Sequence, residues 1–206
     1  IHGVGIELLG TKAFEAFDLE YNIDILNGRG RTKTTVQNAK DNNDAKAVNA
    51  LFGIKPHFID GLKFGADIYH DIIPSNPGVL TRSSRINELI LGGFITYKHD
   101  KLELLGEIFN IRHDDKTSGK DFNTLGYYLQ GGYKVDKFTP YYRFDFINFK
   151  NGDPYFTPDD IDIKKHTLGL RWDILTWNAL KFEYSHSDRR NSDNEDSFSV
   201  NSSFVF

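Results

Sequence analysis

Polar and apolar residues alternate one by one along most of the chain. From Phe17 to Ile25 the odd positions are Phe17, Leu19, Tyr21, Ile23 and Ile25, and the even ones are Asp18, Glu20, Asn22 and Asp24. Successive side chains of a strand point to opposite faces, so this segment predicts a strand with one apolar and one polar face. Leu62, Phe64, Ala66 and Ile68 repeat the pattern against Lys63, Gly65, Asp67 and Tyr69. Leu168 to Ile174 and Leu180 to Tyr184 repeat it again, and helical spacing explains none of these runs.

The pattern predicts eleven strands, over residues 3–10, 16–27, 49–58, 62–72, 86–98, 102–113, 123–135, 139–150, 162–174, 179–189 and 196–206. At Leu104-Leu105 two apolar residues are adjacent and the alternation slips, which predicts a bulge. The connections alternate in length. Short turns are expected around Thr11–Glu15, Ile59–Gly61, His99–Lys101, Asp136–Phe138 and Leu175–Asn178. Between them lie longer polar stretches, Gly28–Val48, Ile73–Arg85, Asp114–Phe122, Asn151–Ile161 and Arg190–Glu195. Short turns at one end and long loops at the other are what an outer-membrane barrel shows. A soluble sandwich or barrel also alternates, with its apolar face turned inward. The regular loop asymmetry and the dense charge on the polar face favour the membrane barrel.

Composition changes this picture little. The chain has 206 residues and a formal net charge of −4, with no basic stripe that would neutralise phosphates, so no nucleic-acid partner is expected. No apolar run approaches the roughly 18 residues of a spanning helix, which says nothing against strands that face lipid with every second residue. Cysteine is absent, so disulfides and thiolate metal sites are excluded. Seventeen Phe and ten Tyr are many for so polar a chain and need an apolar surface or an interface.

In a barrel the charged face lines a water-filled lumen and biases which ions pass. The expected lining residues are Glu20, Asp24, Lys63, Asp67, Glu103, Glu107, Lys134, Arg143, Asp145, Arg171, Asp173, Lys181 and Glu183. Glu7, Asp18, Lys55 and Lys98 belong to the same face. Acids outnumber bases, which leans toward weak cation preference; cross-strand pairing that merely fills the lumen is the plainer alternative for any one residue. Trp172, Trp177, Tyr97, Tyr133, Tyr184 and Phe138 are expected at the membrane interfaces. The Gly28–Val48 loop is long enough to fold into the lumen, or to stay on the surface. The acids Asp153, Asp159 and Asp160, and Asp193, Glu195 and Asp196, match no known oxygen-ligand loop, and solvated loop faces are expected there. No nucleophile-elbow or zinc-binding spacing occurs, so no enzyme, metal or cofactor is expected.

The last segment, Ser197–Phe206, puts Phe198, Val200, Phe204 and Phe206 on one face. It resembles the C-terminal strand by which outer-membrane barrels are recognised by the barrel-assembly machinery. Three further segments, Ile25–Gly30, Thr139–Asp145 and Gly169–Ile174, resemble large porin-like proteins of Gram-negative bacteria, loosely the phosphate-selective porin O/P group. So does Ala179–Arg190. The resemblance implies an antiparallel up-and-down transmembrane β-barrel of about 16 to 18 strands. Residues 1–206 would be one domain, the C-terminal portion of that barrel. A strand count of eleven agrees, since single-chain bacterial barrels have an even number. The expected role is a channel for passive diffusion of small polar solutes in the outer membrane, in contact with lipid and lipopolysaccharide and able to form homo-oligomers. A non-conducting adhesin or scaffold barrel is the alternative.

Overall fold

The computed structural model describes residues 4–30, 45–75, 85–116, 118–156, 162–190 and 192–204. All eleven expected strands are present: β1 Gly5–Ala13, β2 Phe17–Leu26, β3 Ala47–Pro56, β4 Leu62–Ile73, β5 Ile86–His99 and β6 Leu102–Asp115. They are followed by β7 Lys120–Tyr133, β8 Phe138–Asn148, β9 Ile163–Leu175, β10 Asn178–Arg189 and β11 Glu195–Phe204. They form one antiparallel sheet in strict sequence order, β1 to β11. Among the described residues β1 and β11 are the two ends of the ladder. This is the all-β, up-and-down architecture that the alternation predicts, laid out as a single wall and not as two packed sheets.

Short turns link one end of the strands. The β5–β6 turn uses only Asp100 and Lys101, with Asp100 in the left-handed region at φ 51°, a conformation that Asp tolerates better than most residues. Gly61, before β4, has φ 78°, and a Cβ there would lie 1.9 Å from the Lys98 carbonyl oxygen, so only glycine fits. At the other end three connections are longer, while β10–β11 has only residues 190–194 and β6–β7 is shorter still. β6 and β7 stay paired as far as Asp115↔Lys120, which leaves only residues 116–119 where the sequence predicts a loop over Asp114–Phe122.

The bulge expected at Leu104-Leu105 is absent. Register runs unbroken through Tyr97↔Leu104 and Thr96↔Leu105 on one side and Leu105↔Gln130 on the other. Leu104 faces the apolar side and Leu105 simply places an apolar residue on the polar one. The register shift lies instead at Asn178/Ala179, at the start of β10.

The two faces differ in burial. Ile6, Ile25, Leu91, Leu129, Leu168 and Val200 stand on the apolar face and are half or more exposed. Tyr69, Asp71, Ile73, Ile86, Glu88, Ile90, His113, Thr124, Tyr141, Thr167 and Ser185 are buried, and all occupy polar-face positions. The small apolar clusters also sit on the polar face, at the long-loop end. Ala47, Tyr69 and Ile90 form one, and Ile73, Ile86 and Tyr155 the other. A sheet with its burial on the charged side and its large aliphatics bare inverts the soluble arrangement. It is the arrangement of a wall with water on one side and an apolar medium on the other.

Candidate functional site

Cross-strand register decides which residues share a face, because paired residues point the same way. The rung Glu20↔Gly53↔Gly65↔Phe94↔Glu107↔Tyr128↔Asp145 joins residues of seven strands. Other rungs of that face carry Asp24↔Asn49↔Tyr69, Asp67↔Gly92, Lys98↔Glu103, Arg143↔Thr167, Arg171↔Lys181 and Asp173↔Ala179. Lys63 pairs with Thr96 and Glu183 with Gly169 on it too. Lys134, just beyond β7, reaches Asp173 of that face at 3.5 Å. The thirteen expected lining residues thus occupy one face, eight acids against five bases.

Many of these charges are spent on one another. Glu20 accepts from both Lys55 and Lys63, and Lys63 reaches it across Gly53. Arg143 pairs with Asp145 and lies over the Tyr128 ring, 4.1 Å from its centroid. Arg171 donates to Asp173 at 2.7 Å, and Lys181 stands 3.8 Å from Glu183. Tyr141 lies flat across Gly169 and its hydroxyl donates to Glu183 at 2.5 Å. A Cβ at position 169 would sit 2.0 Å from that ring, so the glycine is the seat that lets Tyr141 span from β8 to β10.

At the long-loop end lies a network the sequence reading missed. Arg29, in the loop after β2, donates its backbone N–H to Asp71 Oδ2 at 2.6 Å and its guanidinium to Glu88 Oε2 at 2.9 Å. Gly28 makes this approach possible: its φ is 79°, and a Cβ would lie 2.7 Å from Asp71 Oδ1. His113 Nε2 lies 2.8 Å from Glu88 Oε2, and Nδ1 lies 2.7 Å from Asp153 Oδ2. A neutral imidazole has one N–H donor; both ring nitrogens face carboxylates here, the geometry of an imidazolium. Asp153 also accepts from the Tyr155 backbone N–H at 2.9 Å, and Tyr155 and Phe156 pack beside the His113 ring. Glu88, His113 and Asp71 are fully buried, and Arg29 is nearly so. Two loops, 27–30 and 149–156, are therefore pinned over the polar face of β4–β6. The rest of the 28–48 loop, expected either in the lumen or on the surface, lies largely outside the described residues.

Asp153 is buried and hydrogen-bonded, not part of a solvated acid face; Asp159 and Asp160 lie outside the described residues. Asp196 accepts from Tyr184 and faces His186, while Glu195 pairs with Arg189. Phe198, Val200 and Phe204 share the apolar face, exposed by 69, 54 and 54%, and Phe206 lies outside the described residues. Tyr97, Tyr133, Phe138 and Trp172 stand on the apolar face near the short turns, where Phe138 stacks on Trp172 and Trp177 on Phe204. Tyr184 shares that face, two residues from Phe182 and opposite Leu168.

No protein-family profile matches the sequence, and no curated protein does. Solved structures do resemble the fold. A loop-deletion variant of OmpT, an outer-membrane protein of Vibrio cholerae, superposes with a TM-score of 0.62 at 13% identity, over 96% of this chain and 62% of its own. The anion-selective porin of Comamonas acidovorans gives 0.63 at 10% identity, over 91% of this chain and 49% of its own. The CymD monoaromatic hydrocarbon channel gives 0.51 at 9%, over 98% and 77%. The chain spans about half to two thirds of the length of the first two. At these identities the likeness speaks for the backbone alone. The fold of this chain is that of the wall of a porin-type antiparallel β-barrel.

Proposed function

We propose that the chain forms part of the wall of an outer-membrane channel, with the apolar face against lipid and the charged face against a water-filled lumen. The observation that carries this is the register, which gathers every expected lining charge on the face where burial concentrates, and leaves most of the bare aliphatic residues on the opposite face. Small polar solutes would cross by diffusion, with no chemistry asked of the wall. The two pinned loops narrow the mouth, and the paired charges below them set a mild selectivity. The excess of acids, eight against five among the expected lining residues, favours cations over anions; phosphate selectivity does not follow from this wall.

Among the described residues the ladder ends unpaired at β1 and β11, which supports a second part of the proposal. Unpaired edge strands with bare apolar residues on one face need further strands beside them, so these residues are one portion of a larger barrel. Planar-bilayer recordings of the full-length protein test the channel. Stepwise ohmic conductance with a cation/anion permeability ratio above one is expected. A folded, inserted protein that passes no current would favour the anchoring or adhesin reading.

A further inference from the structure

We propose that the recess directly below the mouth network is a binding subsite for small organic cations with an apolar body, such as aromatic or alkyl primary amines. The inference rests on the channel reading and names the solute class that this part of the wall would hold.

The recess measures about 400 Å³, within the usual range for small-molecule sites. Its floor is apolar, although it belongs to the polar face. Ile90 and Ile111 are opposite one another in the ladder, and Phe109 follows one rung below, laid over Gly126. Leu26 packs against the same cluster. Ile90 is buried with Ala47 and Tyr69, whereas Leu26, Phe109 and Ile111 are only partly buried, so apolar surface is left open to the recess.

The rim of the recess is anionic. Asp67 sits at its lower edge with its carboxylate resting on Gly92, where a Cβ would lie 2.1 Å from Oδ1. Asp24 and Glu107 stand on either side. Glu20, Asp145, Asp173 and Glu183 each have a lysine or arginine partner. Among the described residues no ion pair reaches Asp67, Asp24 or Glu107; Asp24 accepts only a neutral bond, from Asn49 Nδ2 at 2.8 Å. Arg29 is the one base lining the recess, and its guanidinium is already paired with Glu88, with Nε buried and unpartnered. The local field therefore favours a positive charge, and an anion would meet three carboxylates. A bare metal ion would want a tight oxygen cage, and it would gain nothing from the isoleucines and Phe109. An ammonium group at Asp67 with a carbon body over Ile90, Phe109 and Ile111 uses both halves of the site.

The test is binding to the full-length protein folded in detergent micelles, read by saturation-transfer NMR with 2-phenylethylamine as the probe. Phenylacetate and 2-phenylethanol match its size with negative and neutral charge. Saturable binding of the amine is expected, at least tenfold tighter than that of either comparator. Asp67→Asn should weaken it about tenfold. Gly92→Ala keeps the carboxylate but pushes it off its seat, and should weaken the amine as well. Heat-modifiable gel mobility verifies that each variant is folded. Equal binding of amine and phenylacetate, or an amine affinity unmoved in both variants, overturns the subsite. Bilayer conductance is read separately: amine binding without conductance removes the channel reading and leaves the subsite, and conductance without selective amine binding does the reverse.

Discussion

The mouth end of β4–β6 and the stripe of charges on β8–β10 use the same residue types in opposite ways. At the mouth, Arg29, Glu88, His113 and Asp153 are withdrawn from water and linked in series, and the links join loops to strands far apart in sequence. On β8–β10, Arg143–Asp145, Arg171–Asp173 and Lys181–Glu183 are pairs two residues apart on one strand, with side chains a quarter to a half exposed. Burial is what separates them. A buried charge that loses its partner is costly, whereas an exposed pair contributes little and can be rearranged. The long-loop network holds a shape; the stripe presents its charge to solvent.

The largest effect should follow from Glu88→Ala. It strips Arg29 and His113 of a shared buried acceptor and should cost about 3–5 kcal/mol locally. Hydrogen exchange should show the 27–30 and 149–156 loops losing protection while β8–β10 keeps it; equal loss in both regions would erase the contrast. Next comes Gly169→Val, which takes the seat of Tyr141 and breaks its bond to Glu183. It should cost about 1 kcal/mol, the usual net worth of one hydrogen bond, visible as a modest fall in urea midpoint. Arg171→Ala should change stability by about 0–1 kcal/mol yet raise the cation/anion permeability ratio, because it removes a base and leaves Asp173 with Lys134 as its remaining basic partner. A large stability loss there would mean that the stripe is structural after all.

The smallest expected effect lies in a short turn. His57 Nδ1 faces the Glu15 carbonyl oxygen at 3.1 Å and Nε2 faces Asp18 at 3.2 Å. The backbone contact first, and the carboxylate second, favour the protonated ring and raise its pKa above the usual histidine value. Its contribution to stability is therefore present below that usual value and is lost as pH rises through the raised one. An NMR titration of the His57 ring should give a midpoint above that of an unstructured peptide, and Asp18→Asn should lower it. A midpoint at the peptide value would show that the turn contacts do not form.

Much of the wall is legible in the sequence because a strand has a strict period of two. Phe17–Ile25 and Leu62–Tyr69 assign their own faces, and the pairs on β8–β10 are visible as i, i+2 neighbours. The mouth network is not legible for the same reason turned round. Its bonds join residues 40, 42 and 59 positions apart, and a loop's path inward leaves no periodic mark. Glu88 was hidden further, since Ile86 and Ile90 flank it on its own face while Leu89 and Leu91 stand on the other, so β5 reads as apolar on both sides. Leu104-Leu105 misled in the same way. An apolar residue on the wet face breaks the pattern without any bulge.

The central claim is that the alternating faces of these strands meet two different media, and β9 offers the most direct measurement. The sequence has no cysteine, so single cysteines at Thr167, Leu168, Gly169, Leu170 and Arg171 can be spin-labelled in the full-length protein in liposomes. Accessibility to oxygen should peak at 168 and 170, and accessibility to a water-soluble nickel chelate at 167, 169 and 171. A profile without that two-residue period, or with the two reagents exchanged, would contradict the account.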